Sequence, residues 1–472
     1  LRHYYLSHLK KSDYDEFSFG SLSINSDNLV YDLSLNTMTF KGVKEITLSK
    51  KNNIILFPKY GEVELRKNRE VRTIGDLSVG NFDFSGVQLT FDYDKYFIDL
   101  IEIDTLKMLS KNNNRDSYNY LYNIGGDLFI NHPKNKSSRR NLQKFPSFIS
   151  DKSTKVYFDM PDDYGYEYDS SFYFSIDQFR IDSLDKSSLP KFEFPGTFYS
   201  HNIFSPIEGN LITMPDNSFG FNMTLDENGL DAYNKKIKVY NNLLMDSTGL
   251  YTQGNIKYNT TMLFSDKIRL FPDSLTGVLD KGFMAPGNIS TNTFQYPDLE
   301  LSGLPFSYYN LNDDYIYFKY DSSELHNVKA YNQNVEIIGD VYVYSNSVFS
   351  EGSIKTNNSS FVSDEFNYNK SFVVSEYTDV VLNHIDYSSE LLKGNDLFFK
   401  YDINENIIEL KSSFYDERNF ELPSYYFTTS LNEATWNIDE NFLMLTSNNG
   451  KQITYPYDDR FNNWNFVIES FL

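Results

Sequence analysis

Acidic side chains form the cluster in this chain with the clearest potential for chemistry. Asp159, Asp162, Asp163, Glu167 and Asp169 follow one another within a short stretch. Carboxylate oxygens are the ligands that Ca²⁺ prefers, but the spacing does not fit the Asp-x-Asp-x-Asp-Gly calcium loop. A solvated acidic loop is therefore the favoured interpretation.

One basic cluster stands out, because the chain has 43 Lys plus Arg against 65 Asp plus Glu and a formal net charge of −22. The cluster comprises Lys134, Lys136, Arg139, Arg140 and Lys144. Such a patch can dock an anionic partner, such as a lipid A phosphate, an acidic glycan or another protein. The alternative interpretation, which we favour, is an exposed loop kept soluble by its charge.

Groups for catalysis or metal binding show no recognisable pattern. The six histidines are scattered along the sequence: His3, His8, His132, His201, His326 and His384. No two of them have metal-site spacing, the chain has no Cys, and no Gly-x-Ser-x-Gly nucleophile motif is present. We expect no catalytic residues, no cofactor and no metal. Paired carboxylates for glycoside hydrolysis depend on the fold, so a polysaccharide-active enzyme stays an alternative.

Charge and hydropathy limit the partners. A strongly acidic surface repels phosphate backbones, so we expect no nucleic-acid partner. No apolar run reaches the roughly 18 residues of a membrane-spanning helix, so we predict no transmembrane segment. Because the sequence begins at Leu1, we interpret it as a piece of a longer protein.

The composition favours strands over helices. The chain has 38 Tyr and 40 Phe but only four alanines, at Ala232, Ala285, Ala330 and Ala434. Aromatic residues favour strands and alanine favours helices, so we predict an all-β protein. The exceptions are a short helix at the N-terminus and another near Ile103 to Ser110, where apolar spacing is close to helical.

Three stretches share one pattern: Tyr31–Asn36, Tyr401–Asn406 and Trp436–Asn441. In each, an aromatic residue precedes a polar bend that ends in Asn, and alternating apolar and polar residues follow. Asn tolerates a positive φ, so each stretch predicts a strand, a tight turn and a second strand. Repetition of such units predicts an elongated stack of antiparallel β-hairpins, as an open β-jellyroll or serial β-sandwich-like modules.

A longer repeat lies in the second half of the chain. Gly254–Lys257 and Ser265–Ile268 align with Gly352–Lys355 and Ser363–Phe366 at a constant offset of 98. Fixed-period similarity is typical of stacked units. We divide the chain into an N-terminal helical segment at 1–20, a β-hairpin module at 21–110, a loop-rich β module at 111–215, and β repeat modules at 216–335 and 336–472.

The hairpin Tyr31–Val43 and its continuation to Ile46 resemble the repeating element of OstA-like proteins, the β-jellyroll bridges that carry lipopolysaccharide across the periplasm. Other segments are similar to a family of very large, uncharacterised envelope proteins of Bacteroidota: Gly42–Ile46, Phe57–Val63, Phe192–Ser200 and Phe271–Ser274. The resemblance covers roughly residues 20 to 472. It implies a bacterial cell-envelope location, in the periplasm or at the outer-membrane surface, and it transfers no catalytic residue.

These observations predict a non-catalytic envelope scaffold or binding protein with other envelope proteins as partners. In the lipid-transport version, inward residues of successive hairpins line an apolar groove that holds acyl chains. The expected lining is Leu33, Met38, Phe40, Ile403, Ile408, Leu410, Ile438, Leu443 and Leu445. In the alternative the same side chains interlock and leave no cavity. A glycan-binding adhesin module is a further alternative, for which a row of exposed coplanar tyrosines is the diagnostic feature.

Overall fold

The computed structural model describes twelve stretches of the chain. They are residues 18–21, 29–111, 116–136, 139–158, 168–185, 191–289, 293–322, 327–384, 389–412, 418–447, 452–456 and 466–468. The predicted N-terminal helix at 1–20 therefore lies outside the described residues, except for its last three positions, which belong to a strand. The predicted acidic loop lies outside them too, apart from Asp169.

Nearly all regular structure is antiparallel β, as the composition predicts. The strands are β1 (Ser18–Ser21), β2 (Leu29–Asp32), β3 (Thr37–Phe40), β4 (Val43–Ser49), β5 (Ile54–Pro58), β6 (Val63–Arg66), β7 (Glu70–Val79), β8 (Phe82–Asp92), β9 (Phe97–Lys111), β10 (Asp116–Phe129), β11 (Ser147–Ser150), β12 (Thr154–Tyr157), β13 (Phe172–Ile176), β14 (Arg180–Asp182), β15 (Glu193–Ser200), β16 (Ile207–Thr213), β17 (Phe219–Thr224), β18 (Leu230–Ala232), β19 (Ile237–Val239), β20 (Asn242–Asp246), β21 (Gly249–Tyr258), β22 (Thr261–Leu270), β23 (Ser274–Val278), β24 (Lys281–Met284), β25 (Leu299–Ser302), β26 (Pro305–Tyr309), β27 (Tyr315–Phe318), β28 (Asn327–Ala330), β29 (Val335–Ile338), β30 (Val341–Tyr344), β31 (Val348–Thr356), β32 (Ser359–Tyr368), β33 (Phe372–Asn383), β34 (Glu390–Asp402), β35 (Ile407–Lys411), β36 (Phe420–Leu422), β37 (Phe427–Thr429), β38 (Glu433–Asn437), β39 (Phe442–Thr446), β40 (Gln452–Pro456) and β41 (Phe466–Ile468). In the described part of the chain there are also two helical turns, the α-turn α1 (Pro133–Lys136) and a 3₁₀ turn at Pro423–Tyr425.

The chain divides into two compact units. The first contains Leu1–Met223 and Leu244–Leu250, and the second contains Thr224–Leu243 and Tyr251–Leu472. This division is coarser than the five modules expected from the sequence, which stay a prediction.

The helix expected near Ile103 to Ser110 is wrong. Those residues belong to β9, which pairs with β8 on one side and with β10 on the other. Leu106 and Met108 are both fully buried two positions apart, as strand geometry requires. Backbone pairing to two neighbouring strands outweighs a weak local helical spacing.

All three Tyr- or Trp-led elements are hairpins, which confirms the prediction. Each has a four-residue turn between its strands, joining β2 to β3, β34 to β35 and β38 to β39. The closing residues Asn36, Asn406 and Asn441 have φ values of 53°, 55° and 50°. The left-handed conformation that favours Asn is therefore adopted in every copy.

Short-range hydrogen bonds explain why the bend is polar. The Asp402 carboxylate accepts the backbone N–H groups of Asn404 (3.0 Å) and Glu405 (3.2 Å). Asp32 accepts the N–H of Ser34 at 2.8 Å in the same way. These bonds satisfy turn N–H groups that have no strand partner. In two of the three copies the opening aromatic residue also closes the turn, because the hydroxyl groups of Tyr401 and Tyr31 donate to Oδ1 of Asn406 (2.7 Å) and Asn36 (3.1 Å).

In the second unit, each half of a long strand pairs with a different short strand. Two ladders of short strands therefore begin on one long strand and end on another. One half of β22 pairs with β23 and the other half pairs with β24. Ladder A continues through β23, β26, β27 and β30, and ladder B through β24, β25, β28 and β29. Both end on β31, which pairs with β30 along one half and β29 along the other.

The 98-residue repeat is a repeat of structure. The spans of β21 and β22 correspond, shifted by the offset, to those of β31 and β32, and both pairs have a register shift at a glycine, Gly254 or Gly352. These glycines have φ values of 136° and 116°. A Cβ at Gly254 would lie 2.3 Å from Nδ2 of Asn241, and one at Gly352 would lie 2.6 Å from the Ile338 carbonyl oxygen. Only glycine fits this bulge.

A pair of buried tyrosines repeats at the same offset. The Tyr233 hydroxyl lies 2.8 Å from the carbonyl oxygen of Phe271 and 2.7 Å from that of Ser274. The Tyr331 hydroxyl lies 2.7 Å from that of Asn369 and 3.1 Å from that of Phe372. Each tyrosine follows a short strand, β18 or β28, and its hydroxyl reaches the carbonyl groups between the end of a long strand and the start of the strand that follows it. We call this contact the tyrosine clamp.

The interior of each unit is filled by large side chains. Those that are almost completely buried include Phe82, Phe84, Phe91, Phe148, Phe172, Phe174, Phe198, Tyr233, Tyr258, Tyr296, Tyr308 and Trp436. Ring contacts join them, for example Tyr233 to Tyr308 at 5.3 Å and Phe172 to Phe198 at 5.1 Å between centroids. Such interlocking is typical of a protein core.

Removal of the hydroxyl from either tyrosine clamp should lower the free energy of unfolding by the same amount. Tyr233→Phe and Tyr331→Phe each leave two carbonyl groups without their phenol donor, so we expect each to lower the free energy of unfolding by about 1 to 3 kcal/mol. The double variant should show roughly the sum, since the sites are separate. Chemical denaturation measures this, with Tyr377→Phe as control, because that side chain is 68% exposed. Unequal costs for the two clamps would contradict their equivalence.

Alkaline pH should unfold the second unit through its buried phenols. Burial, assisted by the nearby Asp314 carboxylate, raises the pKa of Tyr258 and Tyr308 above the ordinary value, and burial raises that of Tyr331. The unfolded chain releases these protons near pH 10 while the folded chain retains them, so stability is full below about pH 10 and falls as pH rises above it.

Tyrosinate absorbance and far-UV circular dichroism, followed together, test this coupling. We expect part of the tyrosinate signal to appear only as the circular dichroism is lost. Complete phenol ionisation in a protein that keeps its β signal would contradict the expectation.

Candidate functional surfaces

The predicted basic cluster lies on a loop whose described residues are 131–136 and 139–145, which we call the basic loop. Its centre is Asn135, whose amide donates to Oδ1 of Asn131 (2.9 Å) and to the carbonyl oxygen of Leu142 (2.8 Å). Oδ1 of Asn135 accepts the Leu142 N–H at 2.8 Å. The Asn135 side chain thus replaces a strand neighbour and fixes the two halves of the loop together.

The loop backbone brings the basic residues close in space. The Lys134 carbonyl oxygen accepts the N–H groups of Arg139 (2.9 Å) and Arg140 (3.1 Å). The side chains of Lys134, Arg139, Arg140 and Lys144 are exposed, whereas the side chain of Lys136 lies outside the described set. Four of the five predicted docking residues therefore share one solvent-facing loop.

The predicted groove residues do not share one environment. Ile408 and Leu410 are buried, and Phe40, Ile403, Ile438, Leu443 and Leu445 are half-buried. Leu33 is 79% exposed and Met38 is exposed as well. Leu33, Ile403 and Ile438 lie in the hairpin turns, and the other six predicted residues lie on strands.

The strand-borne members form two rows across neighbouring strands. Ile408 pairs with Trp436, which pairs with Leu443, and Leu410 reaches Leu445 through Ala434 in the same way. Trp436 and Ala434 are each 2% exposed. The large indole ring therefore occupies the middle of this face, between Ile408 and Leu443 of the neighbouring strands. The apolar groove itself stays a prediction.

One serine, one histidine and one aspartate meet at the surface of the first unit. The Ser171 hydroxyl donates to Oδ1 of Asp169 at 2.5 Å and contacts Nδ1 of His201, which lies 3.4 Å from the same carboxylate oxygen. Hydrogen bonds from Ser171 lower the pKa of Asp169.

A catalytic triad needs the serine on one imidazole nitrogen and the carboxylate on the other. Here the serine and carboxylate oxygens both lie at Nδ1, and the serine hydroxyl donates its hydrogen bond to the carboxylate. This group closes a turn and lacks the proton-relay order of a hydrolase.

A cleft of about 670 Å³ lies over the outer faces of β6 to β9. Four of its carboxylates hold ion pairs: Glu62 with Lys41, Glu64 with Arg66, Glu70 with Arg72 and Asp92 with Lys95. The cleft is a salt-bridged polar surface. Among the residues that the structure describes, no group of three or more His, Asp or Glu side chains is placed to hold a metal ion.

Sequence reasoning missed a belt of aromatic rings on the outer face of ladder A, the aromatic belt. Its members are Tyr309, Tyr315, Tyr317, Tyr342, Tyr344 and Phe349, all half-exposed. They come from β26, β27, β30 and β31, which are neighbours in the sheet. The signal was available, because Tyr315/Tyr317 and Tyr342/Tyr344 alternate with buried residues at the strand period of two.

The rings of the belt stack on one another. Tyr342 lies 4.7 Å from Phe349 with 16° between the ring planes and 5.0 Å from Tyr317 with 28°, while Tyr315 lies 4.8 Å from Tyr344 with 23°. These separations match the spacing of neighbouring strands, about 4.8 Å. Carbohydrate stacking needs a free ring face, and here each ring covers its neighbour. The belt is a cross-strand ladder of side chains.

A second set of rings lies on the outer face of the first unit. Tyr173 stacks on Tyr199 at 4.8 Å and 21°, and the Lys155 ammonium lies 4.1 Å from the Tyr173 centroid. Tyr157 meets Tyr173 at 5.8 Å and Tyr122 at 5.2 Å with steeper tilts of 58° and 64°. Neighbouring rings or an ammonium group again contact these rings.

No family model matches the chain, and no curated protein matches it either. In the described part of the chain, no helix combines the length and apolar character that crossing a bilayer demands.

Removal of a ring from the belt should destabilise the second unit. Tyr342→Ala removes two close ring contacts, each worth about 0.5 to 1.5 kcal/mol, so we expect a loss of about 1 to 3 kcal/mol in the free energy of unfolding. Tyr342→Phe keeps the ring and should cost far less. Urea denaturation measures both variants, with Tyr377→Ala as the exposed control. A cost for Tyr342→Ala no larger than the control's would show that the stack contributes nothing.

Proposed function

We propose that this chain is a non-catalytic scaffold of a bacterial cell envelope, which binds partner proteins on the outer surfaces of its hairpin units. The observation that carries the proposal is that aromatic rings contact one another on both faces of the same strands. On the inner face, the buried Phe306 of β26 lies 6.3 Å from Phe318 of β27, and on the outer face the aromatic belt stacks. A sheet held on both sides resists deformation, which suits a load-carrying or surface-presenting role.

Site geometry supports a binding role over catalysis. The Ser171, His201 and Asp169 group lacks relay order, and four carboxylates of the cleft over β6 to β9 hold ion pairs. Interlocked rows at Trp436 favour partner binding outside the hairpins over acyl chains held between them. The envelope location is proposed from the resemblance of the hairpins to OstA-like and Bacteroidota envelope segments.

The basic loop is the favoured contact for an anionic partner. The hydrogen bonds between the Asn135 side chain and Leu142 order the loop backbone before binding. The exposed Arg139 and Arg140 side chains therefore lose less conformational freedom when they engage a carboxylate or phosphate. The rest of the chain is acidic, so it repels an anionic partner elsewhere and directs it to this loop.

The Arg139→Ala/Arg140→Ala variant tests the basic loop. We expect about tenfold weaker, salt-sensitive binding to immobilised heparin, used as an anionic probe, because two charge-assisted contacts are lost. The matched control is Lys355→Ala/Lys370→Ala, which removes two exposed charges from the second unit. Equal binding by both variants would remove the docking role.

The scaffold proposal itself is tested in a bacterium that carries the gene. Epitope-tagged protein should cosediment with the envelope fraction, and crosslinking followed by mass spectrometry should recover envelope proteins. Lipid extraction of the purified chain should yield no stoichiometric lipid. Stoichiometric acyl lipid would favour the transport version, and a soluble cytoplasmic protein without crosslinked partners would contradict both.

A further inference from the structure

Two hairpins of the Tyr- or Trp-led type have a strand with an open edge. Within the ranges that the structure describes, β2 pairs only with β3, and β39 pairs only with β38. An open edge presents unpaired N–H and C=O groups and invites another strand.

Both open strands carry apolar side chains to solvent, although the chain as a whole is acidic. In β2, Leu29, Val30 and Tyr31 are all exposed, Val30 to 46%. In β39, Phe442 and Met444 are exposed, Met444 to 45%, and Leu443 and Leu445 are half-buried. Contiguous apolar exposure of this kind is typical of interaction surfaces. β39 has none of the charged residues that usually protect an open edge, and the only charged residue of β2 is Asp32 at its turn end.

The chain contains its own example of how such hairpins join. The second strand of the Tyr401–Asn406 hairpin, β35, pairs with the first strand of the Trp436–Asn441 hairpin, β38. Ile408 lies opposite Trp436, and Leu410 lies opposite Ala434. The turns join as well, since Nδ2 of Asn406 donates to Oδ1 of Asp439 at 2.6 Å.

We propose that two copies of this chain join head to tail, with β39 of one copy pairing antiparallel with β2 of the next. The internal junction defines the register, because Tyr31, Tyr401 and Trp436 hold equivalent positions in their hairpins. Leu443 then lies opposite Tyr31, Met444 opposite Val30 and Leu445 opposite Leu29. Each exposed apolar side chain of β2 is covered by an apolar side chain of β39.

A second copy is the occupant that these observations favour. The two edges differ, because β2 is the first strand of its hairpin and β39 is the second strand of its own. At the internal junction, a second strand (β35) likewise pairs with a first strand (β38). The contact is therefore heterologous, so a copy engaged at β39 still offers a free β2 edge and growth continues. This inference does not depend on the proposed envelope role.

Single charges at the two edges test the proposal without disturbing the core. Val30→Lys blocks one edge and Met444→Lys blocks the other, and both side chains are nearly half exposed. In sedimentation velocity, the wild-type protein should associate as concentration rises, and each variant alone should associate at least about tenfold more weakly. An equimolar mixture of the two variants should form a one-to-one dimer, because each supplies the edge that the other lacks.

Charge reversal tests the register. Val30→Lys/Met444→Glu places opposite charges face to face at every junction and should associate, whereas Val30→Lys/Met444→Lys places like charges there and should stay monomeric. Val362→Lys, at an exposed position of β32, is the control and should behave as wild type. Far-UV circular dichroism and thermal melting of each variant establish that it is folded.

Three outcomes would overturn the proposal. They are a wild-type protein that stays monomeric at every concentration, a variant mixture that stays monomeric, and association that survives both single substitutions. The first would show that the edges are covered within the chain or reserved for another protein, and the last would place the contact elsewhere.

Discussion

Antiparallel pairing between the second strand of one hairpin and the first strand of the next is the interaction on which the rest of this structure depends. It requires that each turn bring its strands back at the same separation. The left-handed Asn at the end of the turn and the Asp carboxylate that caps it, as at Asn406 and Asp402, provide that geometry locally. Once the register is set, every second side chain faces the interior, and aromatic residues at those positions meet their equivalents one strand away.

Repeated pairing of this kind builds the two ladders of the second unit. A long strand such as β22 or β31 belongs to both ladders, so it fixes their separation at each end of a repeat. The glycine bulge lets the long strand bend between its halves. The tyrosine clamp joins the end of a short strand, by hydrogen bonds, to the backbone just after a long strand. Gly254, Gly352, Tyr233 and Tyr331 are therefore the positions where the repeat tolerates least change.

Much of the fold could be predicted from the sequence, because the hairpin signal is local. The positive φ at Asn36, Asn406 and Asn441 and the 98-residue offset follow from residues that are close in sequence or identical in type. The helix near Ile103 to Ser110 was wrong, because pairing of β9 with β8 and β10 involves residues that no short window contains. The positions of Leu33, Ile403 and Ile438 in turns show a related limit, because apolar character alone does not distinguish a turn from a strand face. The lining that includes them stays a prediction.

The functional surfaces were less accessible to sequence reasoning. The basic cluster could be found by charge alone, but its ordering by Asn135 depends on side-chain geometry. Ring order in the aromatic belt depends on which strands become neighbours, so Tyr317 and Tyr342 could not be paired in advance. Whether rings expose their faces or cover one another decides between sugar binding and stiffening, and only coordinates contain that information.

The matching bulges at Gly254 and Gly352 have an evolutionary consequence. A crossover between the two corresponding DNA segments would delete or duplicate 98 codons and still join a bent strand to an equivalent bent strand, with the same clamp on either side. Such recombination changes the number of repeats without creating a foreign junction. Proteins built in this way can gain or lose whole repeats while every evolutionary intermediate still folds. Selection can therefore change their length separately from their stability.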